Sequence, residues 1–263
     1  MHFRSIFIVM TILVYTLSGC KKTTESLSVS TGDPISVNPN KILVDASRDG
    51  GVWWFPQSSD SVFSSEKDHQ GKALADYLIS LGYIVDELPR GTTLTDTLLS
   101  NYNKIIRAGG FGIYSGDEIL AYDNFLNRKG ALLLLEDFVN YPDDDSLAEH
   151  LGVKFEGVIS GAVTRFTPND ITAGVTSFPY IAGSVVANAS NNPNMTILGS
   201  FDSDYFLDRN NDGIFDEGDI QAPPAMGILN TYPKSRIFFL GDINGLESIP
   251  QPFTQNLFAW LFQ

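Results

Sequence analysis

Apolar residues along the chain recur with two spacings, one typical of strands and one typical of helices. Short apolar runs predict strands at residues 41–45, 83–85, 104–108 and 131–135. Between them, apolar residues fall at helical spacing in one helix that ends at Gly82 and in another that follows Ser115 and Glu118, which have capping-box spacing. A shorter helix is predicted at residues 93–99. Strands and helices therefore alternate through the first half of the chain.

This alternation predicts a parallel sheet covered by helices on both faces, because each β–α–β crossover lays a helix across the sheet. The second half carries β-like runs at residues 184–187, 196–201, 226–229 and 236–240, followed by an amphipathic helix at residues 253–262. We expect these strands to extend the same sheet, partly antiparallel. The predicted fold class is α/β, with an open, mainly parallel sheet and a β-rich C-terminal half that contains an inserted acidic loop.

The first forty residues differ in composition from the rest. Arg4 precedes an apolar stretch at residues 6–17, which is shorter than the about 20 residues that span a bilayer. The stretch leads into Leu17-Ser18-Gly19-Cys20, and Cys20 is the only cysteine. This predicts a lipoprotein signal peptide at residues 1–19, then a lipidated, palmitate-bearing Cys20 with a flexible tether over residues 20–40, then a single domain at residues 41–263. The alternative is a plain secretory signal with an incidental cysteine.

The chain is strongly acidic, with 17 basic and 31 acidic side chains and a formal net charge of −14. Such a charge excludes nucleic acid from the expected partners. It also opposes contact between the folded part and anionic lipid, so we expect attachment to the membrane through the lipid on Cys20 alone. The predicted location is the cell envelope, with the folded domain outside the cytoplasm and the outer membrane favoured over the inner.

Several segments together resemble a known fold. They are residues 41–45, the helix end Leu81-Gly82-Tyr83, and residues 102–106, 128–133, 235–242 and 256–261. This set resembles the class I glutamine amidotransferase-like fold, of the flavodoxin-like kind. It is most similar to the non-amidotransferase branch, which includes domains of gliding-motility and intraflagellar-transport proteins.

The resemblance implies that glutamine hydrolysis is lost. The amidotransferase parent carries a cysteine nucleophile on the tight turn after a central strand. Here the turn after residues 131–135 carries Glu136 and Asp137, and the only cysteine is Cys20. A carboxylate pair could do acid–base work if one pKa were raised, although a cap or an ion pair is the commoner role of adjacent acids at a strand end.

Ligands of open α/β sheets bind beyond the carboxyl ends of the strands, so the loop after the first strand is a candidate binding segment. Its sequence is Arg48-Asp49-Gly50-Gly51-Val52-Trp53-Trp54-Phe55-Pro56-Gln57. An exposed indole would suit a sugar ring or a planar ligand, with Arg48, Asp49 and Gln57 as hydrogen-bonding partners. The alternative is that Trp53 and Trp54 are buried against the sheet.

Two more residues are candidates at the same edge. His69 begins the following helix, where free N–H groups favour an anion, although a surface cap is the commoner role. Arg107 ends the third strand and could bind a carboxylate in the cleft or pair with Glu136 or Asp137. The candidate ligand-binding set is therefore Arg48, Asp49, Trp53, Trp54, Gln57, His69, Arg107, Glu136 and Asp137.

Residues 208–219 have the spacing of a calcium loop. The ligand positions would be the side chains of Asp208, Asn210, Asp212, Asp216 and Asp219 and the main-chain carbonyl of Ile214, with Gly213 at the sharp turn. Asp219 replaces the usual bidentate glutamate, which predicts weak binding with a Kd of about 10⁻⁴ to 10⁻³ M. The flanks resemble strands, so we expect a structural Ca²⁺ site; the alternative is an acidic, solvated turn.

The sequence thus predicts a membrane-tethered, calcium-stabilised binding domain of the cell envelope without amidotransferase activity. A glycan or an envelope protein is the candidate partner. The rival is a hydrolase acting on a carbohydrate or related substrate with Glu136, Asp137 or His69, and it requires two titratable groups within reach of one pocket.

Overall fold

The structure is a computed structural model that describes residues 37–49, 53–54, 69–110, 112–137, 145–249 and 252–263. The signal peptide, Cys20 and Gln57 lie outside these residues. The strands are β1 (Lys41–Asp45), β2 (Ile84–Leu88), β3 (Lys104–Arg107), β4 (Ala131–Leu135), β5 (Phe155–Val163), β6 (Arg165–Phe166), β7 (Phe178–Val186), β8 (Met195–Ser200), β9 (Phe206–Leu207), β10 (Ile220–Gln221), β11 (Pro224–Leu229) and β12 (Arg236–Leu240). The α-helices are α1 (Lys72–Ser80), α2 (Asp96–Leu99), α3 (Gly116–Asn127), α4 (Ser146–Leu151) and α5 (Phe253–Leu261).

Eight strands form the main sheet, in the order β2–β1–β3–β4–β12–β11–β8–β6. The first five run parallel to their neighbours, and β11, β8 and β6 continue the sheet antiparallel. The prediction of an open, mainly parallel sheet with a partly antiparallel extension is confirmed. We call the edge where the parallel strands end the carboxyl edge, and the edge where they begin the amino edge.

The central strand β4 shows why helices cover both faces of this sheet. All five of its residues are buried. Leu133 and Leu135 pack in one apolar cluster with α1 and α5, whereas Leu132 and Leu134 pack in a second cluster with α3 and α4. Successive strand residues point to opposite faces, and each fully buried leucine contributes about 1.5 to 3 kcal/mol, so a continuous apolar strand requires two covering layers.

The capping box that begins α3 forms as its sequence predicts. The Ser115 hydroxyl accepts from the Glu118 N–H, and Glu118 Oε2 accepts from the Ser115 N–H at 2.9 Å. The helix ends at Asn127, earlier than Gly130, and Lys129 is the residue with left-handed backbone geometry, at φ 71°.

One strand prediction is wrong in its sheet. Residues 184–187 were expected to extend the main sheet, but β7 pairs antiparallel with β5 in a separate two-stranded sheet. Its partner β5 contains Gly157, Ser160 and Gly161. These residues interrupt the apolar pattern, so the strand was not predicted from the sequence. The Ser184 N–H still donates to the Gly241 carbonyl, which holds β7 beside the end of β12.

Within the described residues, no helix has both the length and the apolar character that a membrane crossing requires.

Candidate functional site

Arg48 fastens the loop after β1 to the beginning of α3. Its Nη2 donates to both carboxylate oxygens of Glu118, at 3.0 and 2.9 Å, and its Nε donates to the Ile113 carbonyl at 3.1 Å. The guanidinium carbon lies 4.7 Å from the centre of the Tyr114 ring. Glu118 is at the same time the capping-box acid of α3. These contacts give Arg48 a structural role in addition to any contact with a ligand.

Asp49 and the two tryptophans form a buried unit on α1. The Asp49 carboxylate accepts from the Trp54 N–H at 2.7 Å and from the Trp53 N–H at 3.3 Å. Both indoles are 0% exposed. A Cβ on Gly71 would lie 2.6 Å from Trp54 Cε3, so this position has room only for glycine. The prediction of an exposed indole is therefore wrong, and the alternative, in which Trp53 and Trp54 are buried, is confirmed.

His69 lies at the border between this buried unit and the surface. Its ring centre is 5.7 Å from that of Trp54, and it is partly buried. Together with Gln70, Lys72, Asp76 and Glu247, His69 lines an open depression of about 390 Å³, which we call the rim depression. Burial raises the pKa of Glu247. The depression therefore offers hydrogen-bond donors and acceptors beside the carboxyl edge.

At the carboxyl edge, the predicted residues Arg107 and Glu136 meet Asp145 in a buried ionic cluster. Arg107 is 0% exposed; its Nη2 lies 2.6 Å from Asp145 Oδ2 and 3.4 Å from Glu136 Oε2. A Cβ on Gly110 would lie 2.2 Å from Glu136 Oε2, so the carboxylate occupies space that only glycine leaves free. Of the two alternatives for Arg107, pairing with an acid of the fold is the one observed.

The cluster shifts the pKa values of its two carboxyl groups in opposite directions. Burial raises the pKa of Glu136 well above its usual range, and the charge of Asp145 adds to this effect while Arg107 opposes it. Against the effect of burial, Arg107 and a hydrogen bond from Glu136 hold the pKa of Asp145 below its usual value. Glu136 is therefore the harder of the two carboxyl groups to ionise, and Asp145 is the closer partner of Arg107.

Two strand-end acids that the sequence analysis did not select complete the edge. Asp45 ends β1, and its Oδ2 accepts from the hydroxyls of Tyr122 at 2.6 Å and Tyr114 at 2.8 Å. Asp242 follows β12 and accepts from the Ile181 N–H at 2.6 Å. Burial raises the pKa of Asp242 to about 7; the charge of Asp137 adds to this, whereas the Ile181 N–H opposes it.

The signal for both acids was present in the sequence. Asp45 and Asp242 each stand at the end of a predicted strand, as Glu136 does. Asp145 was harder to select as a site residue, because it does not follow a predicted strand. It precedes α4, a helix that was not predicted from the sequence. Asp137 is buried at the same edge. The carboxyl edge thus gathers the buried acids Asp45, Glu136, Asp137 and Asp242 beside the Arg107–Asp145 pair, and the described residues place no thiol there.

The 208–219 loop joins β9 and β10, which pair antiparallel, so the predicted strand flanks are confirmed. Asp208 accepts from the Gly213 N–H at 2.7 Å, and Asp219 accepts from the Arg209 N–H at 2.9 Å. Residues 209–218 of the loop are exposed, including Ile214 at 67%, whereas Asp208 and Asp219 are partly buried.

Three of the predicted calcium ligands converge within this loop. Asn210 Nδ2 lies 3.1 Å from an oxygen of Asp212 and 3.0 Å from an oxygen of Asp216. In the part of the chain that the structure describes, however, no group of three or more His, Cys, Asp or Glu side chains has the geometry of a metal site. Calcium binding stays a prediction.

Comparison with known proteins gives likenesses of structure alone. No protein-family profile matches the chain, and no curated protein is significantly similar to it. The mmIFT52 N-terminal domain is 15% identical with a TM-score of 0.59, over 84% of this chain and 97% of that one.

Two further solved structures of bacterial proteins are similar. A ThuA-like protein from Parabacteroides merdae is 12% identical with a TM-score of 0.51, over 86% of this chain and 91% of that one. A cytoplasmic protein from Salmonella typhimurium is 13% identical with a TM-score of 0.51, over 85% and 98%. The likeness at these identities concerns the fold, and it places the chain among proteins with a ThuA- and amidotransferase-like α/β fold.

Proposed function

We propose that this chain is a lipoprotein of the cell envelope whose extracytoplasmic domain binds a ligand or partner at the carboxyl edge and does not hydrolyse glutamine. The lipid on Cys20 tethers it to a membrane, the outer membrane being favoured. The acidic charge leaves nucleic acid outside the proposed partners.

The observation that carries the proposal is the contrast between the turn after β4 and the surface beside it. At that turn Glu136 is buried and fixed by Arg107, where an amidotransferase would have its nucleophile. Beside it, the rim depression of about 390 Å³ is open and lined mostly by polar side chains. The carboxyl edge therefore combines acids that are fixed by the fold with side chains that can form hydrogen bonds to a ligand.

A glycan is the ligand that fits these groups. Sugars present many hydroxyls, which both donate and accept hydrogen bonds. Glu247 supplies acceptors, the ion pair of Lys72 with Asp76 supplies both donors and acceptors, and His69 can do either. Because Trp53 and Trp54 are buried, recognition would depend on these polar contacts and not on stacking against an indole.

A calcium ion would stabilise the domain from a different place, the 208–219 loop. The proposed ligands are Asp208, Asn210, Asp212, Asp216, Asp219 and the Ile214 carbonyl. The convergence of Asn210, Asp212 and Asp216 supports this proposal. A cation would replace the Asn210 N–H groups as the partner of the facing carboxylates, and Asn210 would then bind it through Oδ1.

One specific observation favours the rival, a hydrolase acting on a carbohydrate. Acid–base catalysts are often pairs whose environments push their pKa values apart, as happens at Glu136 and Asp145, and the pKa of Asp242 is about 7. The hydrogen bonds and ion pair that fix these acids to the fold favour the binding function over this rival.

A glycan array tests the binding function with the full-length chain in detergent and Ca²⁺. We expect a selective signal that falls about tenfold in His69→Ala and in Glu247→Ala, because each removes a hydrogen-bonding group. The matched control is Asp96→Ala, which removes an exposed acid from α2 on the opposite face. The absence of selective binding, or equal losses in all three variants, would contradict the proposal.

Membrane attachment is tested separately by Cys20→Ser. The variant should leave the membrane fraction or accumulate as uncleaved precursor, because Cys20 is the only cysteine that can carry lipid. Normal processing together with unchanged membrane retention would exclude the lipoprotein assignment.

A further inference from the structure

Basic side chains collect in one pocket at the amino edge of the main sheet, away from the carboxyl edge. The pocket has a volume of about 350 Å³. Four cations line it, and we call it the basic pocket after them: Lys104, Lys129, Lys234 and Arg236. Lys104 begins β3 and Arg236 begins β12, so the parallel strands bring them to one edge. No Asp or Glu is among its lining residues, although the chain carries 31 acids.

Lys104 is the least expected of these cations because it is only 6% exposed. Its ammonium donates to the Pro39 carbonyl at 2.6 Å and to Asn103 Oδ1 at 3.2 Å, and neither oxygen carries a charge. The ammonium also lies 5.5 Å from the centre of the Phe262 ring. Burial lowers the pKa of Lys104. A buried ammonium without an anionic partner costs free energy that a bound anion would recover.

Of the other three cations, Lys129 and Lys234 have no carboxylate partner among the described residues. Lys129 and Lys234 are exposed, and Arg236 donates to oxygens of Gln263. Elsewhere in the described chain, basic side chains commonly pair with acids, as do Lys41, Arg48, Lys72, Arg107, Arg128, Lys154 and Arg209. In the basic pocket, the positive charges of Lys129 and Lys234 are therefore not paired with carboxylates of the described residues.

Lys129 adds an observation from the backbone. It has φ 71°, a conformation in which glycine is unstrained and a side chain is not. A lysine at this position, directly before Gly130, keeps its ammonium at the pocket despite that strain.

We propose that the basic pocket binds a phosphate ester. A phosphate monoester carries about −1.5 to −2 charge near pH 7 and presents three strong acceptor oxygens, which matches several converging cations better than a carboxylate does. The pocket volume leaves room for an attached group beside the phosphate, and Pro233, Leu261 and Phe262 supply apolar contacts for it. The group attached to the phosphate is glycerol or a sugar, and the phosphate monoester is the chemistry that the two ligands share.

Isothermal titration of the full-length chain at low salt tests the proposal with inorganic phosphate, glycerol 3-phosphate, glucose 6-phosphate and acetate. We expect one saturable site for the phosphates, in the millimolar range or tighter, and weaker binding of acetate. Tighter binding of glycerol 3-phosphate than of glucose 6-phosphate identifies glycerol as the attached group, and the reverse order identifies a sugar. No saturable binding of any phosphate would overturn the proposal.

Two variants locate the site, and one control matches them. Lys234→Ala and Lys129→Gly should each weaken phosphate binding about fivefold, because a cation near an anionic surface contributes about a factor of five. Lys154→Ala, which removes an exposed lysine outside the pocket, should leave affinity unchanged. Equal affinity in all four proteins would overturn the proposal.

Lys129→Gly also separates binding from a purely structural role. Cations near a helix C-terminus stabilise the helix dipole, and on that account alone the variant would lower the melting temperature without affecting a ligand. We expect the melting temperature to be unchanged or higher, because glycine relieves the positive φ, while phosphate affinity falls. A lower melting temperature with unchanged affinity would assign Lys129 to the helix and contradict its role in the pocket.

Discussion

The two edges of the main sheet differ in how their charges are compensated. At the carboxyl edge the acids are buried and each described contact ties them to the fold: Asp145 to Arg107, Asp45 to two tyrosines, and Asp242 to main-chain N–H groups. At the amino edge the cations Lys129 and Lys234 are exposed and have no carboxylate partner among the described residues. The acids of the carboxyl edge are bound by partners within the fold, whereas Lys129 and Lys234 at the amino edge remain available to a ligand.

This difference separates two meanings of a charged residue at a strand end. A buried, paired group stabilises the fold and costs much when its partner is removed. An exposed, unpaired group contributes little to stability and is available to bind. The predictions below apply this distinction to the carboxyl edge and to the 208–219 loop. They run from the largest expected effect to the smallest.

Arg107→Met should give the largest loss at the carboxyl edge. It leaves Asp145 buried without its cation, which costs about 3 to 5 kcal/mol in the free energy of unfolding. Urea denaturation measures the loss. Arg128→Met is the control, since Arg128 and Asp96 form an exposed pair that contributes about 1 kcal/mol or less. Similar small losses in both variants would mean that the buried cluster does not hold this edge together.

Trp54→Ala should also cost about 3 to 5 kcal/mol, because it opens a cavity between the β1 loop and α1. Trp54→Phe keeps most of the apolar volume and should cost less. Thermal or urea unfolding of both variants provides the comparison. A folded Trp54→Ala protein of unchanged stability would contradict the core role of this ring.

Calcium should stabilise a second acidic region, the 208–219 loop. With a Kd of about 10⁻⁴ M, about 10 mM Ca²⁺ adds roughly 2.7 kcal/mol. For a domain of this size that corresponds to roughly 5 to 10 °C in melting temperature. Mg²⁺ should do much less, because it requires a tighter octahedral shell.

Variants of the loop assign this calcium effect. Asp208→Ala or Asp212→Ala should remove most of the response, whereas Glu217→Ala, at a position that is not a proposed ligand, should keep it. An identical melting temperature in Ca²⁺ and in chelator for the unmodified protein would show that the loop is only an acidic turn.

The smallest effect concerns pH and the half-buried acid Glu87, one residue before the end of β2. Burial, and after it the negative charge of Asp49, raises the pKa of Glu87 to about 8 from an ordinary 4.5. Between these values the folded state binds the proton more tightly than the unfolded state does. The contribution of Glu87 to stability is therefore full below pH 4.5 and is lost as the pH rises to about 8.

Glu87→Gln should flatten this part of the pH dependence and raise the melting temperature above pH 8. Thermal unfolding from pH 5 to pH 9 measures the slope, and Glu149→Gln, at an exposed acid on α4, is the control. A steeper slope in Glu87→Gln than in the unmodified protein would reverse the sign of the argument.

Much of the fold was accessible from the sequence because it depends on periodicity. The run of leucines in β4 predicts a strand buried on both faces, and Ser115 with Glu118 predicts the beginning of α3. Strand β5 was not predicted, because Gly157 and Gly161 interrupt its apolar pattern. Local patterns therefore give elements and their order, but they fail where glycine interrupts a strand.

The contacts of the site were less accessible because they join distant parts of the chain. The sequence places Arg107 at a strand end, yet its shortest contact is with Asp145, before α4. The tryptophan pair fitted an exposed loop and a buried one equally well, and the packing of Gly71 against Trp54 decides between them. The basic pocket was missed because Lys104, Lys129 and Lys234 are far apart in sequence and meet only where parallel strands begin.

The most direct test of the proposed binding function is to recover a bound glycan after contact with the protein. The full-length chain is incubated in Ca²⁺ with the glycan that gives the strongest array signal, and the ligand is then analysed by mass spectrometry. The account predicts saturable binding, lost in His69→Ala, with the glycan recovered intact. Recovery of cleaved glycan would contradict the account in favour of the hydrolase, and a chain that binds no glycan would contradict it outright.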